Sequence, residues 1–154
     1  MELKKVKAMP TSLRKGAIED AVKKFIVDSR VKNVNIEGMY NQSLKSIAQS
    51  IIFDTSDKQQ FWMADNGQEV MAYALAHLGV DVDDRLTYTI SQAWADKSLR
   101  GTKIVKVWWQ QIQDEAKRCL CSHLMLPASR NVKPYLRFLG EGFHEYVTLI
   151  KKDI

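Results

Sequence analysis

The chain has 154 residues, 45% of them hydrophobic and 27% charged, with a formal net charge of +5. Such a length suits one domain over 1–154 with a buried core and leaves no room for a second. No stretch approaches the ~18 continuous apolar residues of a membrane span, and the N-terminus lacks an apolar signal region, so the expectation is a soluble, cytoplasmic protein with no membrane partner. Positive charge favours anionic partners, but Lys and Arg are scattered, with no block beyond Lys4-Lys5 and Lys151-Lys152, and nucleic acid is set aside. Cys119 and Cys121 stand too close in sequence for a good mutual disulfide and are read as reduced thiols. Only His123 lies near them, so no metal site is expected.

In chain order, Leu3 to Met9 reads as a first strand with Leu3 and Val6 inward, stopped by Pro10. Thr11 or Ser12 can cap a helix in which Ala17, Ile18, Ala21, Val22, Phe25 and Ile26 share one face, opposite Glu19, Asp20, Lys23 and Lys24. Val31 to Gly38 is a loop. From Asn41 a second helix presents Leu44, Ile47, Ala48, Ile51 and Ile52 as its apolar stripe. Gln60 to Ala64 is a short strand, and Asp65-Asn66-Gly67-Gln68 a hairpin turn whose Asn-Gly pair tolerates positive φ. Glu69 to Leu78 runs back, apolar on both faces and therefore covered on both. Gly79 to Arg85 forms an acidic loop.

The next strand alternates, with Leu86, Tyr88, Ile90, Gln92 and Trp94 on one face and Thr87, Thr89, Ser91 and Ala93 on the other. It ends in the turn Ala95 to Thr102. A helix follows with Ile104, Trp108, Ile112, Ala116 and Cys119 inward and Lys106, Gln110, Gln113, Asp114 and Lys117 outward. Trp109 points roughly 100° away from Trp108 and is expected to be exposed, a contact residue for a protein partner. His123 to Leu126 is a short strand broken by Pro127. Asn131 caps a last helix from Lys133 to Leu139, which Gly140 stops, and Phe143 to Ile150 alternates as a final strand. The strand, helix, strand order requires a parallel crossover. The helix start after the Ala95 to Thr102 turn then offers an anion its unpaired N–H groups and the positive end of the helix dipole.

The segment Ala95-Asp96-Lys97-Ser98-Leu99-Arg100-Gly101-Thr102-Lys103-Ile104-Val105 resembles the acetyl-CoA loop of the GNAT N-acetyltransferase superfamily, usually V-D-P-x-Y-R-G-K-G-I-G. Asn131 to Phe143 is similar to the family's N-x-x-A-x-x-x-Y-x-x-x-G-F element, so the resemblance covers most of the chain. The closing run Arg137-Phe138-Leu139 with Gly142-Phe143-His144-Glu145-Tyr146 is most similar to GNAT-like proteins encoded by short-tailed bacteriophages, which implies host cytoplasm or virion as location.

The resemblance implies an α/β fold with a mixed, mostly antiparallel twisted sheet of six or seven strands and helices on both faces. It implies an acyl-CoA-dependent N-acyltransferase that moves an acetyl group to an amine, on a small molecule or a protein. Acetyl-CoA is then held by Ala95, Leu99, Arg100, Gly101, Thr102, Lys103, Ile104 and Asn131. Three departures stand against this. Lys103 and Val105 replace loop glycines, and Phe138 replaces the usual acid tyrosine, leaving Tyr135, one turn earlier, or a water as the substitute proton donor. The strand between Arg85 and Asp96 also has no carboxylate to act as base; Asp96, Glu69 and His77 are the substitutes, each with a structural explanation of its own. The competing reading is a GNAT-fold protein without catalysis, serving a structural or interaction role through its basic or aromatic surface, in a phage virion if phage-encoded.

Overall fold

A computed structural model of the chain describes residues 1–5, 11–28, 58–81 and 83–126. Its elements are β1 (Lys4–Lys5), α1 (Thr11–Asp28), β2 (Gln59–Asp65), β3 (Val70–Val80), β4 (Leu86–Ala95), α2 (Lys103–Arg118) and β5 (His123–Met125). The described strands form one five-stranded sheet in chain order. Neighbours from β1 to β4 run antiparallel, and β4 pairs with β5 in parallel. The parallel step is possible because α2 carries the chain back across the sheet, which a tight turn cannot do. The expected loop over 31–38, helix from Asn41, helix over 133–139 and strand over 143–150 lie outside the described residues.

Two apolar clusters use alternate residues of the strands. One joins Trp62, Ala64, Ala72, Ala74, Ala76, Tyr88 and Ile90 to Val105, Trp108, Ile112 and Ala116 of α2. The alanines of β2 and β3 keep that surface low, so bulky α2 side chains such as Trp108 can approach it at close-packed density. The other cluster joins Phe61, Met63, Val70, Tyr73 and Leu75 to Ile18 and Ala21 of α1, with the Phe61 and Tyr73 rings stacked at 5.2 Å. The middle of β3, Ala72 to Ala76, is therefore buried on both faces, as its unbroken apolarity requires.

The alternation read along β4 fails at one residue. Leu75 pairs with Gln92 and Ala76 with Ile90, so Ser91 is an inserted bulge residue. Upstream, Tyr88 and Ile90 belong to the α2 cluster; downstream, Trp94 packs against the α1 cluster. Gln92 goes with it, its Oε1 accepting a hydrogen bond from the Tyr73 hydroxyl at 3.1 Å. One extra residue reverses the phase of everything after it. The sequence shows no interruption there, because Ser91 and Gln92 suit either face.

The β2–β3 hairpin also departs from expectation. Asp65 pairs with Val70, which leaves four residues in the loop, and β3 begins at Val70 and reaches Val80. Gly67 takes a positive φ of 89°. Asn66 contributes its side chain, Oδ1 accepting from the N–H groups of Gln68 at 3.0 Å and Glu69 at 2.9 Å.

On α2, Val105 and Glu115 join the buried face, while Ile104 and Cys119 are half-buried. Trp109, expected in solvent, is half-buried against the α2 cluster, so its replacement by alanine would cost fold stability and not only a contact. Both cysteines are free thiols.

Glu115 anchors a polar network inside the apolar layer. It accepts from Lys5, from Gln60 Nε2 at 3.1 Å and from Arg118 at 2.7 and 2.8 Å. Gln60 in turn accepts from the Tyr88 hydroxyl at 2.6 Å, which accepts from Trp62 Nε1 at 2.9 Å. The network ties β1, β2 and β4 to α2, and each buried polar atom in it has a partner.

Helix α2 ends with the Leu120 N–H on the Lys117 carbonyl at 2.9 Å and the Cys121 N–H on the Ala116 carbonyl at 3.0 Å. This closing pattern places Leu120 at φ 60°, the position glycine usually occupies. The Leu120 side chain is 83% exposed and returns little for that strain. Leu120→Gly is expected to raise stability by about 1 kcal/mol, read as a higher urea midpoint at unchanged slope. A lower midpoint would show that the leucine supports the fold.

Candidate functional site

The residues assigned to the acetyl-CoA loop are brought together at the C-terminal end of β4. The Asp96 N–H is held by the Met71 carbonyl at 2.8 Å, which anchors the turn to β3. Two successive reverse turns follow, Leu99 N–H to the Asp96 carbonyl at 3.0 Å and Thr102 N–H to the Leu99 carbonyl at 3.1 Å. Asp96 accepts from the Ser98 N–H at 2.9 Å and hydroxyl at 2.6 Å. Those bonds hold its carboxyl below the usual carboxylate range and commit it to shaping the turn, which removes it as a base. Arg100 returns to the strand, its Nε donating to the Ala95 carbonyl at 2.9 Å. Gly101 has φ 78°, a conformation that side chains with a Cβ rarely adopt. Leu99 and Ile104 are half-buried and pin both ends of the turn to the α2 cluster.

Thr102 is the N-cap of α2 but makes no side-chain cap. Its hydroxyl turns away to the Leu99 carbonyl at 2.6 Å. The N–H groups of the first helical turn are thus left to an external acceptor, with Arg100, Lys103 and Lys106 near them and no acidic residue in that turn. The two replaced glycines do not close the site. Val105 directs its side chain into the α2 cluster, at 8% exposure, and Lys103 is exposed. A diphosphate can therefore reach the helix start, and Lys103 adds charge where a glycine would add only access.

The described ladder between β4 and β5 ends at the pair Thr89 and Met125, just before the bulge at Ser91. At the bulge, Ser91 Oγ lies 2.8 Å from Nε2 of His77 on β3 and 3.3 Å from the Leu75 carbonyl. His77 is half-buried, and desolvation lowers its pKa below that of a free imidazole. Among the substitute bases, Glu69 is bound to Lys24 at 2.7 Å beside the hairpin. His77 alone carries its ring to the bulge. Sequence reading named His77 but missed Ser91, because the pair exists only through the β3–β4 register. It also missed Glu115, whose one signal is its place three residues after Ile112 on the apolar side of α2. Asn131, Tyr135, Phe138 and the phage-like run from Arg137 lie outside the described residues. Among the described residues no three His, Cys, Asp or Glu side chains gather to hold a metal ion, and no helix is long and apolar enough to cross a membrane.

No protein-family model and no curated protein matches the sequence. Solved structures do match over nearly the whole chain. A predicted acetyltransferase from Clostridium acetobutylicum, solved with acetyl-CoA, has a TM-score of 0.71 at 14% identity, over 99% of this chain and 95% of that one. AAC(6')-Iy in complex with the bisubstrate analogue CoA-S-monomethyl-acetylneamine has a TM-score of 0.67 at 13% identity, over 99% and 98%. Glucosamine-6-phosphate N-acetyltransferase from Arabidopsis thaliana has a TM-score of 0.61 at 15% identity, over 99% and 97%. The chain therefore has the α/β fold of GNAT acetyltransferases, with a mixed, mostly antiparallel sheet.

Proposed function

We propose, from the fold shared with solved acetyltransferases, that the protein is an acyl-CoA-dependent N-acyltransferase that moves an acetyl group to an amine. The observation that carries this reading is the turn Ala95 to Lys103. It combines Gly101 at positive φ with an uncapped, cation-flanked helix start beside the strand bulge. Acetyl-CoA would set its diphosphate on the N–H groups of Lys103 and Ile104 and its adjoining arm along β4. Asn131 belongs to the same reading through its sequence resemblance, and Tyr135, one turn before the family's tyrosine position, as the substitute proton donor. So does completion of the sheet to six or seven strands with helices on both faces.

Isothermal titration tests the reading. Acetyl-CoA should bind the wild-type protein, and Gly101→Val should abolish the heat while the protein stays folded, because valine cannot hold the turn at that φ. No heat up to millimolar ligand with folded wild type would overturn it and leave the interaction-scaffold reading.

A further inference from the structure

We infer that His77 and Ser91 form the proton-accepting pair for the incoming amine, with Ser91 Oγ relaying the proton to His77 Nε2. This rests on the acyltransferase reading and supplies the base that β4 itself lacks.

The placement follows from the β3–β4 register. Ser91 lies on the face of Thr89, opposite Tyr88 and Ile90, and so on the side shared by His77, the register partner of Gln59 and Thr89. Its Oγ stands 2.8 Å from the imidazole Nε2, and the insertion at Ser91 makes Gln92 and Trp94 follow on that same side. The strand from Ser91 to Ala95 spans about 13 Å at the usual rise per residue, a distance within reach of an extended pantetheine arm. A donor with its diphosphate on the α2 start thus has its thioester delivered to the bulge. The described β4–β5 ladder runs to the pair Thr89 and Met125, two residues short of Ser91.

The surroundings keep the ring neutral. Gln59, Thr89 and Ser91 carry no charge. Among the described residues, the ionisable groups on the same side of the sheet include Tyr73, whose phenol burial keeps protonated, and Asp20, Lys24 and Glu69, which lie toward Val70 at the opposite end of β3. Partial desolvation disfavours the charged ring, so His77 offers a ring lone pair to the serine hydroxyl. The Ser91 hydroxyl can give its proton to Nε2 and accept one from the amine. In the balanced step the amine nitrogen bonds to the thioester carbonyl carbon and the carbon–sulfur bond breaks. The amine proton passes through Ser91 Oγ to His77, which returns it to solvent, and the thiolate leaves and is protonated by the donor of the acyltransferase reading or by solvent.

The test uses the full chain with acetyl-CoA and a panel of primary amines, following thiol release. His77→Gln and His77→Ala should lower kcat by about 10²–10⁴-fold, with acetyl-CoA affinity by titration unchanged. The acid limb of the wild-type pH profile should disappear in His77→Gln, and added imidazole should restore part of the activity of His77→Ala, a response that a packing role would not give. Ser91→Ala, at an exposed position, should lower kcat with KM for acetyl-CoA unchanged. Wild-type kcat and pH profile in both His77→Gln and Ser91→Ala would overturn the pair while leaving the acyltransferase intact. An acetyl adduct on Ser91 by mass spectrometry would overturn the relay in favour of a covalent route. Loss of acetyl-CoA binding in wild type itself would overturn both readings, and is told apart by the absent heat.

Discussion

Lys103→Glu is expected to have opposite effects on the two states of the protein: a higher melting temperature without ligand and much weaker acetyl-CoA binding. Lys103 is the first residue of α2, next to Arg100 and one turn before Lys106, with no acid in that turn. Positive charge at the positive end of a helix dipole is unfavourable by a few tenths to about 1 kcal/mol. Reversing it should therefore stabilise the free protein by about 1 kcal/mol, or about 2–4 °C for a chain of this size. The same reversal replaces a charge-assisted contact to a diphosphate with repulsion, worth about 1.5–3 kcal/mol, which is about 10- to 100-fold in Kd. Scanning calorimetry and titration on the same preparation read both. A melting temperature that falls together with affinity would mean that Lys103 holds the fold, and a helix start arranged for an anion would be the wrong description.

The second large effect lies at Glu115. Its pKa is held down to about 2 from the usual 4.5, first by hydrogen bonds from Arg118, against the cost of burial, and then by Lys5 and Gln60. A carboxyl depressed in the folded state contributes stability that is complete above the unfolded value and is lost as pH falls through the folded one. Acid destabilisation should therefore be concentrated between pH 4.5 and about 2, and Glu115→Gln should flatten that part of the stability curve. At neutral pH, Glu115→Ala should cost about 2–3 kcal/mol, less than a fully buried pair would, because the Arg118 and Lys5 side chains retain contact with solvent. Urea unfolding of wild type and both variants from pH 7 to pH 3 checks this. An acid limb in Glu115→Gln as steep as that of wild type would show that other carboxylates govern acid unfolding.

Much of the architecture was legible because it depends on local periodicity. The apolar stripe Trp108, Ile112 and Ala116 needs only a helical repeat, and the alternation from Gln60 to Ala64 and from Glu69 to Leu78 only an extended backbone. The turn from Ala95 to Thr102 was legible for a related reason: Arg100-Gly101 and the helix start after it are contiguous, so one window of sequence contains the whole turn and the first residues of α2. Glu115 was not, since a carboxylate on an apolar stripe can be placed only once Lys5, Gln60 and Arg118 are known to converge on it.

By itself, the sequence of this protein determined which segments are strands and helices, that a parallel crossover follows β4, and that β4 carries no acid. Those properties are set by side-chain patterns within a few residues of one another. Only the tertiary structure decided which way β4 turns its residues after Ile90. Register is a property of two strands together: Leu75 opposite Gln92 and Ala76 opposite Ile90 cannot be read from either strand alone. That single inserted residue sends Gln92 and Trp94 to the α1 side, and the register before it sets Ser91 beside His77, so the candidate proton path exists through strand pairing rather than through any motif.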